Sequence, residues 1–241
     1  MMNINENITV ADVVTKNIKA AHVFKKHGID FCCGGGITIE KACAKYSVDY
    51  KTLEKELLAI DKVSSRTYDY NSWDLEFLID HIVNIHHTYV QESLPIILQY
   101  SDKVAAVHGH HYTEVLKINK LFQEVAGELT AHMKKEELIL FPFIKQLVKA
   151  EKEGSVLPQP PFGTVNNPIQ MMEQEHENVG DIFKTIAKLS NNYTPPEEAC
   201  NTFRALYGAL EEFEKDLHQH IHLENNILFP KAIALEKNSA I

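Results

Sequence analysis

One short pattern occurs twice in this chain at an unchanged spacing. His132-Met-Lys-Lys-Glu136 is followed by Phe141-Pro142, and His220-Ile-His-Leu-Glu224 by Phe229-Pro230, with every offset identical. Upstream, His87 precedes His132 by 45 residues and His176 precedes His220 by 44. A pattern that recurs at such an interval reads as a copied helical hairpin. Two copies require four helices, and the sequence places them at 73–100, 113–150, 168–190 and 196–237.

Helical geometry decides where the repeated side chains point. A histidine and a glutamate four residues apart differ by about 40° around a helix of 3.6 residues per turn, so they share a face. That face is the apolar one. In the fourth segment Phe203, Leu206, Leu210, Phe213, Leu217, His220 and Glu224 follow three-four spacing, and in the second Val115, Ile118, Phe122, Val125, Leu129, His132, Glu136, Ile139 and Phe143 do the same. The third gives Ile169, Met172, His176, Val179, Phe183 and Ile186. In the first, the seam runs through Ile79, Val83, His87, Val90, Leu94 and Ile97, whereas one through His86 continues into Tyr89 and Ser93; His87 is the expected inward residue.

Four histidines and two glutamates in a bundle core need a physical reason, because an unpaired buried carboxylate costs several kcal/mol or gives up its charge. A metal removes that cost. A lone core histidine is more often satisfied by a hydrogen bond, but six such residues in a repeated arrangement point to ligation. Imidazole and carboxylate suit iron, zinc and manganese, and two carboxylates can bridge two ions roughly 3.5–4 Å apart. Spacing leaves the metal open. The expected ligands are His87, His132, Glu136, His176, His220 and Glu224. His81, His86, His218 and His222 fall off the seam and His108, His110 and His111 in a connection, so all are read as surface groups; Cys43 and Cys200 are read as small buried hydrophobes.

Residues 1–60 read as a separate small helical domain, 61–72 as a polar linker and 73–241 as the bundle. Thr9 with Asp12 marks a helix start, Gly28 a helix end, and Thr194-Pro-Pro-Glu197 a capping box opening the fourth long helix. EKEGSVLPQPPFGTVNNP, between the second and third long helices, forbids a continuous helix. A 44% hydrophobic content argues against disorder, and a net charge of -9 without a Lys/Arg cluster argues against nucleic acid. No apolar run approaches the roughly 20 residues that span a bilayer, and the start lacks a secretory pattern, so a soluble cytoplasmic protein is expected, with no membrane partner. Cys32 and Cys33 are adjacent and cannot close a relaxed bridge; reduced thiols are expected. Gly34 to Gly36 permit a tight turn, and Thr38 starts a helix whose amino end favours thiolate, which suggests reactive cysteines.

Asp30-Phe31-Cys32-Cys33-Gly34-Gly35, followed by the two His-x-x-x-Glu elements and the tail His220 to Pro230, resembles the RIC (repair of iron centres) family over nearly the whole chain. The resemblance implies an all-α protein, a small N-terminal domain ahead of a hemerythrin-like four-helix bundle. It implies two iron ions, His87, His132, His176 and His220 as terminal ligands, and Glu136 and Glu224 as bridges. It further implies repair of iron-sulfur clusters damaged by nitric oxide or oxidants, a cytoplasmic setting, a homodimer, and damaged iron-sulfur proteins as partners. Cys32 and Cys33 would serve redox exchange, iron transfer or docking; the residues do not choose among these. Glu128 and Glu175 are expected behind the ligands or along an access path. Gly36, a third glycine, departs from the family's pattern. Oxygen or nitric oxide binding, and enzymatic reduction of nitric oxide, are the alternatives the same ligands could support.

Overall fold

The computed structural model of the chain describes residues 4–60, 68–156 and 160–239. Among them every regular element is helical, as the periodicity requires, and none is long and apolar enough to cross a membrane. The expected linker falls in part on 61–67, outside the described residues; its end is a tight turn, Tyr70–Ser72. The chain packs as two compact units, Met1–Ile79 with Leu147–Val156 and His218–Ile241, and Asp80–Gln146 with Leu157–Leu217.

The first unit begins with α1 (Val10–Lys16), α2 (Ala20–Lys26), α3 (Ile39–Tyr46) and α4 (Tyr50–Ile60). Thr9 Oγ1 accepts the Asp12 N–H at 3.0 Å while the Asp12 carboxylate accepts the Thr9 N–H at 3.3 Å, closing the capping box read from the sequence. Gly28, at φ 69°, turns the chain out of α2, and the Ile29 N–H donates to the Phe24 carbonyl at 2.9 Å. Thr38 Oγ1 caps α3 by accepting the Lys41 N–H. The Cys-Cys-Gly turn lies against α1: the Ala11 N–H donates to the Gly35 carbonyl at 2.8 Å, and a Cβ on residue 35 would stand 2.3 Å from the Phe31 carbonyl oxygen. Only glycine fits there.

In the second unit, α6 (Thr88–His108), α7 (Glu114–Lys135), α9 (Asn166–Leu189) and α10 (Asn201–Leu223, to Leu217 within this unit) form the bundle. α5 (Leu75–His81) precedes it, and α8 (Phe141–Glu153) and α11 (Phe229–Ser239) follow the repeated motifs. The ring of Phe213 meets Tyr89 of α6, Phe122 of α7 and Phe183 of α9, at 6.1, 5.7 and 5.8 Å between centroids. One aromatic thus ties all four helices together.

Each copy of the repeat contains a feature that periodicity alone misses. Glu136–Leu140 and Glu224–Leu228 are π-helical, so the Phe141 and Phe229 N–H groups reach back five residues to the Glu136 and Glu224 carbonyls. Pro142 and Pro230 follow directly. A proline ring clashes with the carbonyl four residues earlier in an α-helix, and a widened turn relieves that clash. A third π segment, Ile82–His87, has the Thr88 hydroxyl donating to the Val83 carbonyl at 3.2 Å.

These turns correct several expectations. A widened turn places His86 and His87 both in the interior, so His86 is buried rather than a surface group. His222 is buried as well, and Ile139, assigned to the seam, is half exposed. The capping box at Thr194 does not open the helix: Asn191, Asn192 and Tyr193 turn through left-handed backbone, a residue before proline resists the helical conformation, and α10 begins only at Asn201. Cys200 is exposed, and Cys43 is buried as expected.

Candidate metal centre

Four of the six expected ligands lie in the second unit. His87 closes its π segment, His132 sits in the last turn of α7, Glu136 opens the next π segment, and His176 lies midway along α9. All four are buried. Glu136 Oε2 lies 3.3 Å from both His87 Nε2 and His132 Nε2, and His132 Nε2 lies 3.0 Å from His176 Nε2. In the first unit, His220 Nε2 lies 2.9 Å from Glu224 Oε1, with the Glu224 side chain fully buried.

The protons of these imidazoles follow from what stands behind them. Glu175 Oε2 lies 2.8 Å from His132 Nδ1, and Glu137 Oε1 lies 2.7 Å from His87 Nδ1. A carboxylate only accepts, so in each ring Nδ1–H donates outward and Nε2 carries the lone pair inward. The His132 hydrogen bond, with help from Lys135 and against partial burial, holds the Glu175 carboxyl at about 2, so it is ionised at neutral pH. Electron-rich nitrogens and carboxylate oxygens therefore converge on one another, an arrangement that a cation reconciles. Among the described residues of the second unit, His132, Glu136 and His176 bring ligand atoms within 4.8 Å of one another, with His87 on the same Glu136 oxygen, and in the first unit His220 pairs with Glu224.

Glu137 was not identified from the sequence; its signal was its position next to Glu136, where the π turn brings both carboxylates to the His87 side. Glu175 was expected behind a ligand and is found there, whereas Glu128 stays exposed.

The Cys32-Cys33 turn is organised by Asp30, whose Oδ1 accepts both cysteine N–H groups at 3.1 Å and the Cys32 thiol at 3.3 Å. The two sulfurs lie 3.9 Å apart. The Cys33 thiol, burial and the Asp30 charge push the Cys32 thiol well up, so at this residue the expected thiolate is not favoured. Within the same unit the turn rests on the π segment of Glu224: Asn226 Nδ2 donates to the Cys32 carbonyl at 3.0 Å, and Asn225 Nδ2 approaches Cys33 Sγ at 4.0 Å. His222, brought down to about 4 by burial and partly offset by a hydrogen bond to the Phe31 backbone, packs edge-on against the Phe31 ring.

Residues 78–232 match the hemerythrin HHE cation binding domain, and residues 6–61 match a domain of unknown function, DUF542. The chain is 39% identical over 215 residues to the iron-sulfur cluster repair protein YtfE of Yersinia pseudotuberculosis serotype IB (strain PB1/+), covering 89% of this chain and 91% of that relative. The same figures hold for YtfE of Yersinia pestis (strain Pestoides F). With both domains matched in this order and the similarity running through nearly the whole length, the chain belongs to the YtfE family of iron-sulfur cluster repair proteins.

Proposed function

We propose that this protein holds two iron ions on His87, His132, Glu136, His176, His220 and Glu224, and uses them to repair iron-sulfur clusters damaged by nitrosative or oxidative stress. The observation that supports this reading is that one Glu136 oxygen stands 3.3 Å from both His87 and His132, while the repeated motif pairs His220 with Glu224 at 2.9 Å. With Glu136 and Glu224 as bridging carboxylates, His87, His132, His176 and His220 would be the terminal ligands of the pair. The relatives' name supplies the repair role. When bound, the iron pair supplies iron or one-electron redox chemistry to a damaged cluster.

The protein's own residues set the conditions for this. Glu137 and Glu175 keep His87 and His132 in the tautomer that presents Nε2 inward, and burial of both shared glutamates excludes water from the ligand oxygens. The domain division at 61–72 is supported by the two matches, at 6–61 and 78–232. A cytoplasmic setting and damaged iron-sulfur proteins as clients belong to the same proposal.

The test is recovery of an iron-sulfur dehydratase inactivated by nitric oxide, incubated with the iron-loaded full chain. Recovery above the protein-free rate, lost in Glu224→Ala, is expected. No recovery from protein that keeps its iron would assign the centre to gas binding instead.

A further inference from the structure

The π turn at Ile82–His87 does more than present His87. Successive side chains on an α-helix point about 100° apart, so an α-helix that buries His87 against the core turns His86 away. Here both are buried, with His86 only 2% exposed. Its Nδ1 lies 2.9 Å from Asp216 Oδ1 on α10, so Nδ1–H donates to the carboxylate and Nε2 keeps the lone pair. That is the arrangement found behind His87 and His132, an imidazole oriented by a carboxylate for ligation. His81 stands beside it, with ring centroids 5.6 Å apart and planes at 82°. With metal-nitrogen distances of about 2.0–2.1 Å, two imidazoles on one ion have centroids roughly 4.5–6.3 Å apart, a range that includes this pair.

We propose that His81 and His86, with Asp216 behind His86, form an accessory site for a divalent first-row metal ion, separate from the six-ligand centre and adjoining it in sequence through His87. His81 is half-buried and the Asp216 side chain is 21% exposed, so an ion reaches the site from solvent. Two imidazoles favour a borderline cation such as Fe(II), Co(II) or Zn(II) over Mg or Ca. The element positions the pair: five residues span about one turn of a π-helix, so His81 and His86 stack along one face where an α-helix would rotate them apart by about 140°.

The test titrates Co(II) into the iron-loaded full chain, followed by calorimetry and by the visible bands of imidazole-bound Co(II). Wild type is expected to take up one more equivalent than His81→Asn, with the iron content of the two equal. Because the reading is this difference, it does not depend on how many irons the centre carries. Asp216→Asn, which keeps shape and both imidazoles, is expected to weaken the site about 10- to 100-fold. Equal Co(II) uptake by wild type and His81→Asn overturns the proposal, as does unchanged affinity in Asp216→Asn.

Discussion

Glu175 offers the sharpest way to perturb the centre without touching a ligand. Its carboxylate accepts the His132 Nδ1–H at 2.8 Å and pairs with Lys135. Replacing it by glutamine leaves an acceptor of the same shape without the charge, exchanging a charge-assisted hydrogen bond for a neutral one. The difference is about 1 kcal/mol, or roughly fivefold in iron affinity. Alanine removes the acceptor, frees the ring to choose its tautomer, and should weaken iron about 10- to 100-fold. Iron retention against a graded chelator reads both, and the order wild type, Glu175→Gln, Glu175→Ala is the expected result. Glu128→Gln, on the exposed side of α7, should behave as wild type. Equal retention by all four proteins would refute the reasoning that the carboxylate behind His132 holds the ligand in place.

Three further outcomes are expected. Phe213→Ala, which removes the ring joining four helices, should cost about 3–5 kcal/mol in urea unfolding of the metal-free protein. Gly35→Ala should destabilise by about 1–3 kcal/mol through overpacking against the Phe31 carbonyl, whereas Gly36→Ala, whose added Cβ meets nothing, should leave thermal unfolding unchanged. Cys32→Ser with Cys33→Ser should keep full iron content yet lose repair at matched iron loading; full repair would make the pair structural.

The four bundle helices, the shared face of His132 with Glu136 and of His220 with Glu224, and the caps at Thr9 and Thr38 were legible because each follows from local spacing. The π turns were not. An extra residue in a turn changes which neighbours face inward, so a reading at 3.6 residues per turn put His86 outside and Ile139 inside. Pro142 and Pro230 were the available signal, each six residues after a ligand glutamate, yet the helices 113–150 and 196–237 were read straight through them. His222 was missed for a different reason: the Cys-Cys turn covers it, and a contact between residues nearly two hundred apart leaves no trace in local periodicity. Thr194 shows the reverse error, since a complete local capping pattern yielded to the backbone demanded by Asn191 to Pro196.

The central claim is that two glutamates are shared between two ions. Protein prepared without oxygen should contain about two irons per chain, and both Glu136→Ala and Glu224→Ala should fall well below one, since each removes a ligand common to both positions. Loss of a single iron from either variant, or wild-type protein holding stoichiometric zinc and no iron, would contradict it.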